Sequence, residues 1–251
     1  MENLPIRITD SWESLKEFTA ARIALGRAGD SIPMRQSLEF KLAHAHARDA
    51  VYSTLDTEKL TKELRLLDIP VLKLHSQATT RQIYLQRPDL GRLPDKESAE
   101  IVAAHLIPAD ISIILADGLS ANAINNNAVQ LLAELIPLLK AVNYKLSPMC
   151  LVEQARVAIA DHIAYGLQSQ LSIILIGERP GLSSADSIGA YLTYQPKPGL
   201  TDESRNCVSN IRQDGLPFKY AAEKIFYLIQ EAFRRQLSGV ELKDNAGLLG
   251  E

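Results

Sequence analysis

Residues 171–181 read Leu171-Ser172-Ile173-Ile174-Leu175-Ile176-Gly177-Glu178-Arg179-Pro180-Gly181. A short run of isoleucine and leucine carrying almost no polar side chain predicts a strand covered on both faces, and the Gly/Pro-rich string behind it predicts a loop. An earlier segment has the same arrangement: Ile111-Ser112-Ile113-Ile114-Leu115-Ala116 leads into Asp117-Gly118-Leu119-Ser120. Outward from these two runs, helical spacing is read over Ala121–Val142 and Val157–Gln168, and strand character over Lys145–Val152, Ala190–Tyr194 and, after Pro70, Val71–Ser76. Strands too apolar for a half-solvated sheet, separated by helices, predict an α/β fold with a parallel sheet covered on both faces. Ligands of such sheets bind beyond the carboxyl ends of the strands, where loops and helix N-termini converge. The loops after Ala116 and Ile176 are therefore the first places to look for function.

The first third of the chain has a different period. Ser11–Glu17, Arg35–Tyr52 and Leu55–Leu67 read as helices, the last ending near Asp68-Ile69-Pro70 because proline disfavours helical backbone in the residue before it. Ala21–Gly29, with two glycines and two arginines, reads as a turn presenting guanidinium groups. The expected division is a small helical domain over residues 1–70 and a sheet domain over 71–251. Pro217–Leu237 reads as a final amphipathic helix, and Gly239–Glu251 as a polar, weakly ordered tail.

With 251 residues, 46% hydrophobic and 23% charged, the chain can bury a substantial core. Its 27 basic and 30 acidic residues give a net charge of -3, no field for drawing in a phosphate polymer, so nucleic acid is not an expected partner. No stretch approaches a membrane span, and Met1-Glu2-Asn3-Leu4-Pro5 lacks the basic and apolar regions of a leader, so a cytosolic location is expected. Cys150 and Cys207 are too few and too far apart for a disulfide framework or a metal knuckle, and both read as free thiols.

The candidate chemistry is that of binding. Gly177-Glu178-Arg179-Pro180-Gly181 is neither a dinucleotide fingerprint nor a phosphate-binding loop, but its glycines admit close backbone approach while Glu178 and Arg179 offer an acceptor and a forked donor; a local ion pair at a tight turn is the plainer reading. Leu182–Gly189 is small and polar, without a GxSxG elbow or a base near Ser183 and Ser184. Arg205-Asn206-Cys207-Val208-Ser209-Asn210-Ile211-Arg212 mixes donors and acceptors with little helical or strand pattern and reads as a binding loop or a solvated connection. His44 and His46, two apart on a helix, cannot share a face as zinc ligands. Asp161-His162-Ile163-Ala164-Tyr165-Gly166 misses the spacing of a DxHxxG cobalamin motif, which leaves His162 an ordinary helix residue. Asp117, Glu178 and Asp186 fall in candidate loops, yet no acid–base pair can be argued from spacing. The sequence shows no self-sufficient catalytic site.

Five strings, in order, carry a resemblance: Phe18–Gly29, Arg87-Pro88-Asp89-Leu90-Gly91-Arg92, Ala116-Asp117-Gly118-Leu119-Ser120-Ala121, Gly177–Leu182 and Arg205–Ile211. Together they resemble the small, or light, subunit of ethanolamine ammonia-lyase over nearly the whole chain. The resemblance implies a helical N-terminal part and a Rossmann-like domain. It also implies adenosylcobalamin as cofactor and a TIM-barrel large subunit bound 1:1 in an α6β6-type assembly. The family reaction turns ethanolamine into acetaldehyde and ammonia by cofactor-derived radical chemistry, with substrate and catalytic residues on the large subunit and cobalamin between the chains.

By motif, the family's cobalamin contacts fall on Val157, Glu178 and Cys207. Arg156 is a further candidate, for a cofactor phosphate or an interface carboxylate. Corrin amides could donate to Glu178 and to the Val157 carbonyl, with Cys207 a small wall residue. Some relatives carry a long N-terminal extension, whereas this chain starts almost at once with the folded region; residence in a bacterial microcompartment, rather than free in the bacterial cytoplasm, is left open. The alternatives weighed against this reading are a stand-alone Rossmann-like module for a nucleotide-type ligand and a purely structural adaptor.

Overall fold

The computed structural model describes residues 10–19 and 21–243. The leader reading at Met1–Pro5 and the end of the C-terminal tail lie outside the described residues. Helices α1 (Met34–Val51) and α2 (Thr57–Leu64) precede the first strand, β1 (Val71–His75). Then follow α3 (Arg81–Gln86), α4 (Lys96–Ala104), β2 (Ala109–Ala116), α5 (Ala121–Ala141), β3 (Met149–Glu153) and α6 (Ile159–Gly166). The chain closes with β4 (Ser169–Gly177), β5 (Ile188–Tyr194), β6 (Asn206–Ile211) and α7 (Phe218–Arg235). Starts of three helices are written locally: Asp56, Thr80 and Asp95 accept from the backbone N–H of Lys59, Ile83 and Ser98, the N-cap bond that satisfies an orphan donor. A 3-10 turn prolongs α2, and Asp68, at φ 59°, ends it in the left-handed region ahead of Pro70.

The strands form one six-stranded sheet in the order β1-β3-β2-β4-β5-β6. The expected parallel pairing holds for β1, β3, β2 and β4, but β5 runs antiparallel to both its neighbours, so the sheet is mixed. Loop 178–187 contains no helix and is too short for the crossover that a parallel neighbour needs, so the chain doubles back on β4. Segment 205–212 also departs from expectation: most of it is the edge strand β6. Its polar composition has a simple cause, since Val208 and Ile211 are buried while Cys207 and Ser209 are exposed, the alternation of a strand with one covered face. The β5–β6 register shifts between Ile188 and Ala190, with Asn210 opposite at φ 57°, the geometry of a bulge.

Two cores flank the sheet. On one face Ile111, Ile113 and Leu115 of β2 and Leu171, Ile173 and Leu175 of β4 pack with α5 and α7, and α2 adds Leu60 and Leu64, both fully buried. On the other face Ile114, Ile174, Ile176, Leu72 and Val152 meet Val102 of α4 and Ile159 and Ile163 of α6. Truncating any of these leucines or isoleucines to alanine is worth about 2–5 kcal/mol, which is why β2 and β4 hold the loops behind them steady. Among the described residues no helix is long and apolar enough to cross a membrane.

Candidate functional site

The loops after β2 and β4 interlock. Gly118 has φ 56°, and a Cβ there would lie 2.2 Å from the Gly177 carbonyl oxygen; a Cβ on Gly177 would lie 2.0 Å from that of Ser120. Leu119 N–H donates to the same Gly177 carbonyl at 2.9 Å. Glycine is thus required at both crossings, for the left-handed turn at one and for close approach at both. From α5 and its cap, Ser120 Oγ donates to Ala185 O at 2.7 Å and Asn127 Nδ2 to Asp186 O at 2.7 Å, which pins the loop that follows Glu178.

Asp117, only 2% exposed, points away from this crossing toward the turn after β3. Its Oδ2 accepts from Gln154 N at 2.8 Å and its Oδ1 from Ala155 N at 3.0 Å, while Arg81 Nη1 stands 3.5 Å from Oδ2. Burial raises the Asp117 carboxyl to about 6, against the pull of these amides and of Arg81. Tyr84 is fully buried with two guanidiniums against its ring, Arg81 4.6 Å and Arg156 4.1 Å from its centroid. Arg156 therefore faces inward: its Nη2 donates to Tyr84 O at 3.2 Å, and its Nε is buried without a partner. Val157 follows at the rim of the second core, its carbonyl accepting from Ala160 N at 3.2 Å as α6 begins.

Across the sheet, the Glu178 carboxylate reaches over the start of β5 and accepts from Asn210 N–H of β6 at 3.1 Å, rather than closing a local pair with Arg179. Gly189 makes room for it, since a Cβ there would sit 3.3 Å from both Glu178 Cγ and Oε1 and 3.0 Å from Tyr191 Cε2. Tyr191 is the cross-strand partner of Cys207, so their side chains leave the sheet on one face. Burial raises the Tyr191 hydroxyl well above its ordinary value, and the neighbouring Cys207 and Glu178 add to the rise. Partial burial also raises the Cys207 thiol, opposed by the Tyr191 hydroxyl and reinforced by Glu178. Burial and Glu178 both favour the neutral thiol of Cys207 over the reactive thiolate. Tyr191 is half-buried and Cys207 and Ser209 are exposed, so this part of the β5–β6 face is open.

Of the residues singled out in the sequence, Glu178 and Cys207 converge around Tyr191, and Val157 borders the same apolar cluster as Tyr191. Tyr191, Gly189, Tyr84 and Arg81 carried no motif; a cross-strand pair is the only signal that would have found Tyr191, and it needs the register. Within 205–210 the roles separate: Arg205 is buried on Asp161, and Asn206 holds Gly239 and Leu242 by side-chain bonds, which leaves Cys207 and Ser209 on the open face. Cys150 is fully buried, its thiol raised to about 12. His162, its pKa lowered by burial, lines a cleft of about 760 Å³ with Val102, Ser169 and Pro196, at the opposite end of β4 from Glu178. No group of three or more His, Cys, Asp or Glu able to hold a metal occurs among the described residues.

A family model described as "Ethanolamine ammonia-lyase light chain (EutC)" matches residues 9–243. The chain belongs to the ethanolamine ammonia-lyase small-subunit family. Named members are close. The ethanolamine ammonia-lyase small subunit of Ralstonia nicotianae is 48% identical over 250 residues, covering 98% of this chain and 93% of the relative. That of Xanthomonas campestris pv. campestris is 50% identical over 241 residues, covering 94% and 89%. That of Pseudomonas fluorescens is 48% identical over 250 residues, covering 98% and 91%. All five quoted strings fall inside the matched range, and three of them gather at the carboxyl end of the sheet: 116–121 and 177–182 cross directly at Gly118 and Gly177, while Gly91 of 87–92 and Asp117 both hold the 154–156 turn.

Proposed function

We propose that this chain works as the small subunit of a two-chain, adenosylcobalamin-dependent ethanolamine ammonia-lyase, converting ethanolamine to acetaldehyde and ammonia. In this reading it forms one wall of the cobalamin site, and the large subunit, bound 1:1 in the bacterial cytoplasm, holds the substrate and the catalytic residues. The observation that carries the reading is the open β5–β6 face, where Glu178, Tyr191 and Cys207 stand together beside the strand ends. A broad, flat ring edged with amide groups fits such a surface. The Glu178 carboxylate can accept from an amide N–H, Cys207 is small enough to admit the ring edge, and Val157 and Tyr191 present apolar surface that excludes water. When bound, adenosylcobalamin supplies a carbon-centred radical by homolysis of its cobalt–carbon bond. The residues of this chain bind, orient and desolvate; Arg156, with its guanidinium committed to Tyr84, supports the wall from behind.

A partner surface is available next to this wall. Met34, Leu38, Phe40 and Leu42 of α1 are exposed, and a cleft of about 620 Å³ lined by Leu25, Ile32, Phe40 and Leu182 joins α1 to the loop that follows Glu178. That continuity supports the large subunit as its occupant. The decisive experiment mixes the purified chain with its large subunit and measures retention of adenosylcobalamin by equilibrium dialysis, together with ethanolamine deamination. Both chains are required for both properties, and Glu178→Ala and Cys207→Trp weaken retention. Full activity from the large subunit alone, or unchanged retention in both variants, would overturn the proposal.

A further inference from the structure

Val157 owes its place to the three residues before it, and nearly every backbone polar group of those residues is held from elsewhere. Gln154 N–H and Ala155 N–H donate to the two Asp117 oxygens, and Arg156 N–H donates to Gly91 O at 2.7 Å. Ser76 Oγ donates to Gln154 O at 2.6 Å and Tyr84 Oη to Ala155 O at 3.1 Å. Gln154 sits at φ 53°, left-handed backbone that a non-glycine residue keeps only where its surroundings over-determine it. Arg81 spans the rear, its Nε on Val51 O at 2.6 Å and its Nη1 on Gln154 Oε1 at 3.3 Å, with Nη2 buried and unpartnered. A carboxylate buried this deeply is a poor source of stability, because desolvation offsets much of what its partners return. What the arrangement does supply is a fixed geometry for the turn that ends at Val157.

We propose that Asp117, backed by Arg81 and Tyr84, is a positioning residue that sets the 154–157 turn against the cofactor through the amides of Gln154 and Ala155. This rests on reading Val157 as part of the cobalamin wall. Asp117 touches no reacting atom, so its removal changes binding and not the chemical step. In Asp117→Asn the single carboxamide oxygen can serve only one of the two amides, and the NH2 confronts the other. The cofactor must then re-order the loosened turn, so loss of one such charge-assisted bond raises the cobalamin dissociation constant by up to about tenfold.

The charged and titratable groups facing Asp117 are Arg81 and Tyr84, with Arg156 held over the Tyr84 ring. Since the carboxyl is raised to about 6, wild-type affinity declines as pH falls from about 7.5 to about 5.5, and Asp117→Asn removes most of that dependence.

The test is equilibrium dialysis of adenosylcobalamin against the two-chain complex, with kcat at saturating cofactor measured alongside. Asp117→Asn raises the dissociation constant, leaves saturated kcat within about twofold, and flattens the pH profile of binding. Tyr84→Phe removes only the hydroxyl on Ala155 O, keeps the ring against its guanidiniums, and weakens binding in the same direction by a few fold. Tyr84→Phe decides the matter if the Asp117 variant does not assemble. Unchanged affinity in the assembled variants, with only a lower melting temperature, would refute the positioning role. Val157→Trp separates the two readings: if it too leaves affinity unchanged, the cobalamin wall itself is misplaced, whereas weakened binding there with unchanged binding in Asp117→Asn and Tyr84→Phe overturns this inference alone.

Discussion

Arg205→Met cuts a buried ion pair with a sign that pH reveals. Arg205, directly ahead of β6, places Nη2 2.5 Å from Asp161 Oδ2 of α6, and both side chains are 2% exposed. Its Nη1 also donates to Thr201 O at 2.6 Å, while Arg205 Nε and Asp161 Oδ1 are buried without partners. Burial raises the Asp161 carboxyl to about 6 even with Arg205 beside it. The folded-state value thus exceeds the unfolded one, so the charged form is disfavoured by folding, and this carboxyl's contribution to wild-type stability declines as pH rises from about 4 to about 6 and then levels. Without Arg205 the native carboxyl resists ionisation further, and the decline continues past pH 6 toward the new value. Each further unit costs about 1.4 kcal/mol, so the variant's deficit grows with pH until it reaches the ~3–5 kcal/mol characteristic of an orphaned buried charge. Urea unfolding of the purified chain between pH 5.5 and 8 measures this. A deficit that is the same at both ends of the range, or below about 1 kcal/mol at pH 8, would refute the reasoning.

Other consequences are as direct. Gly177→Ala forces a methyl to 2.0 Å from Ser120 O and 2.6 Å from Asp117 O, both backbone atoms, and should lower stability by about 3 kcal/mol or more, read from the urea midpoint. A colourless thiol reagent coupled to mass detection at pH 8 should label Cys207 of the native chain slowly and Cys150 only after unfolding, because Cys150 is fully buried and its thiol is raised to about 12. Two rapidly labelled thiols in the native chain would contradict the burial of Cys150.

The sequence and the structure agree where a residue's surroundings are local or uniformly apolar. The β2 and β4 runs, covered on both faces, announced themselves by composition, and α5 came out within a residue of its expected end. Segment 205–212 reads as a loop although most of it is strand, because edge strands with one open face lose the apolar signature that marks β2 and β4. The reversal at β5 was equally silent, since direction is set by what lies between strands, here a loop with too few residues to cross over. At the site, motif resemblance named Glu178 and Cys207, but the residue between them, Tyr191, is brought there by cross-strand register. Asp117 lay in a quoted string, yet its partners at 154–155 are reached only through the neighbouring strand, and nothing in the linear order pairs them.

Helix α6 lies between the two edges of the proposed wall. Val157 lies two residues before its first residue, held by the turn that Asp117 anchors, and Cys207 lies two residues beyond Arg205, which α6 holds through Asp161. One edge of the wall is therefore tied to this short helix by the chain itself and the other by an ion pair whose net worth to stability is small and whose worth as geometry is large. Stability and position can be separated. Replacing the pair together, Arg205→Met with Asp161→Leu, removes the orphaned charge and should return most of the stability lost in Arg205→Met alone. It also replaces a directional link between α6 and β6 by one that can slide, so cobalamin affinity in the two-chain complex should stay weakened while the melting temperature recovers. Recovery of both together would mean that packing alone places Cys207, and that the ion pair is not part of the site's frame.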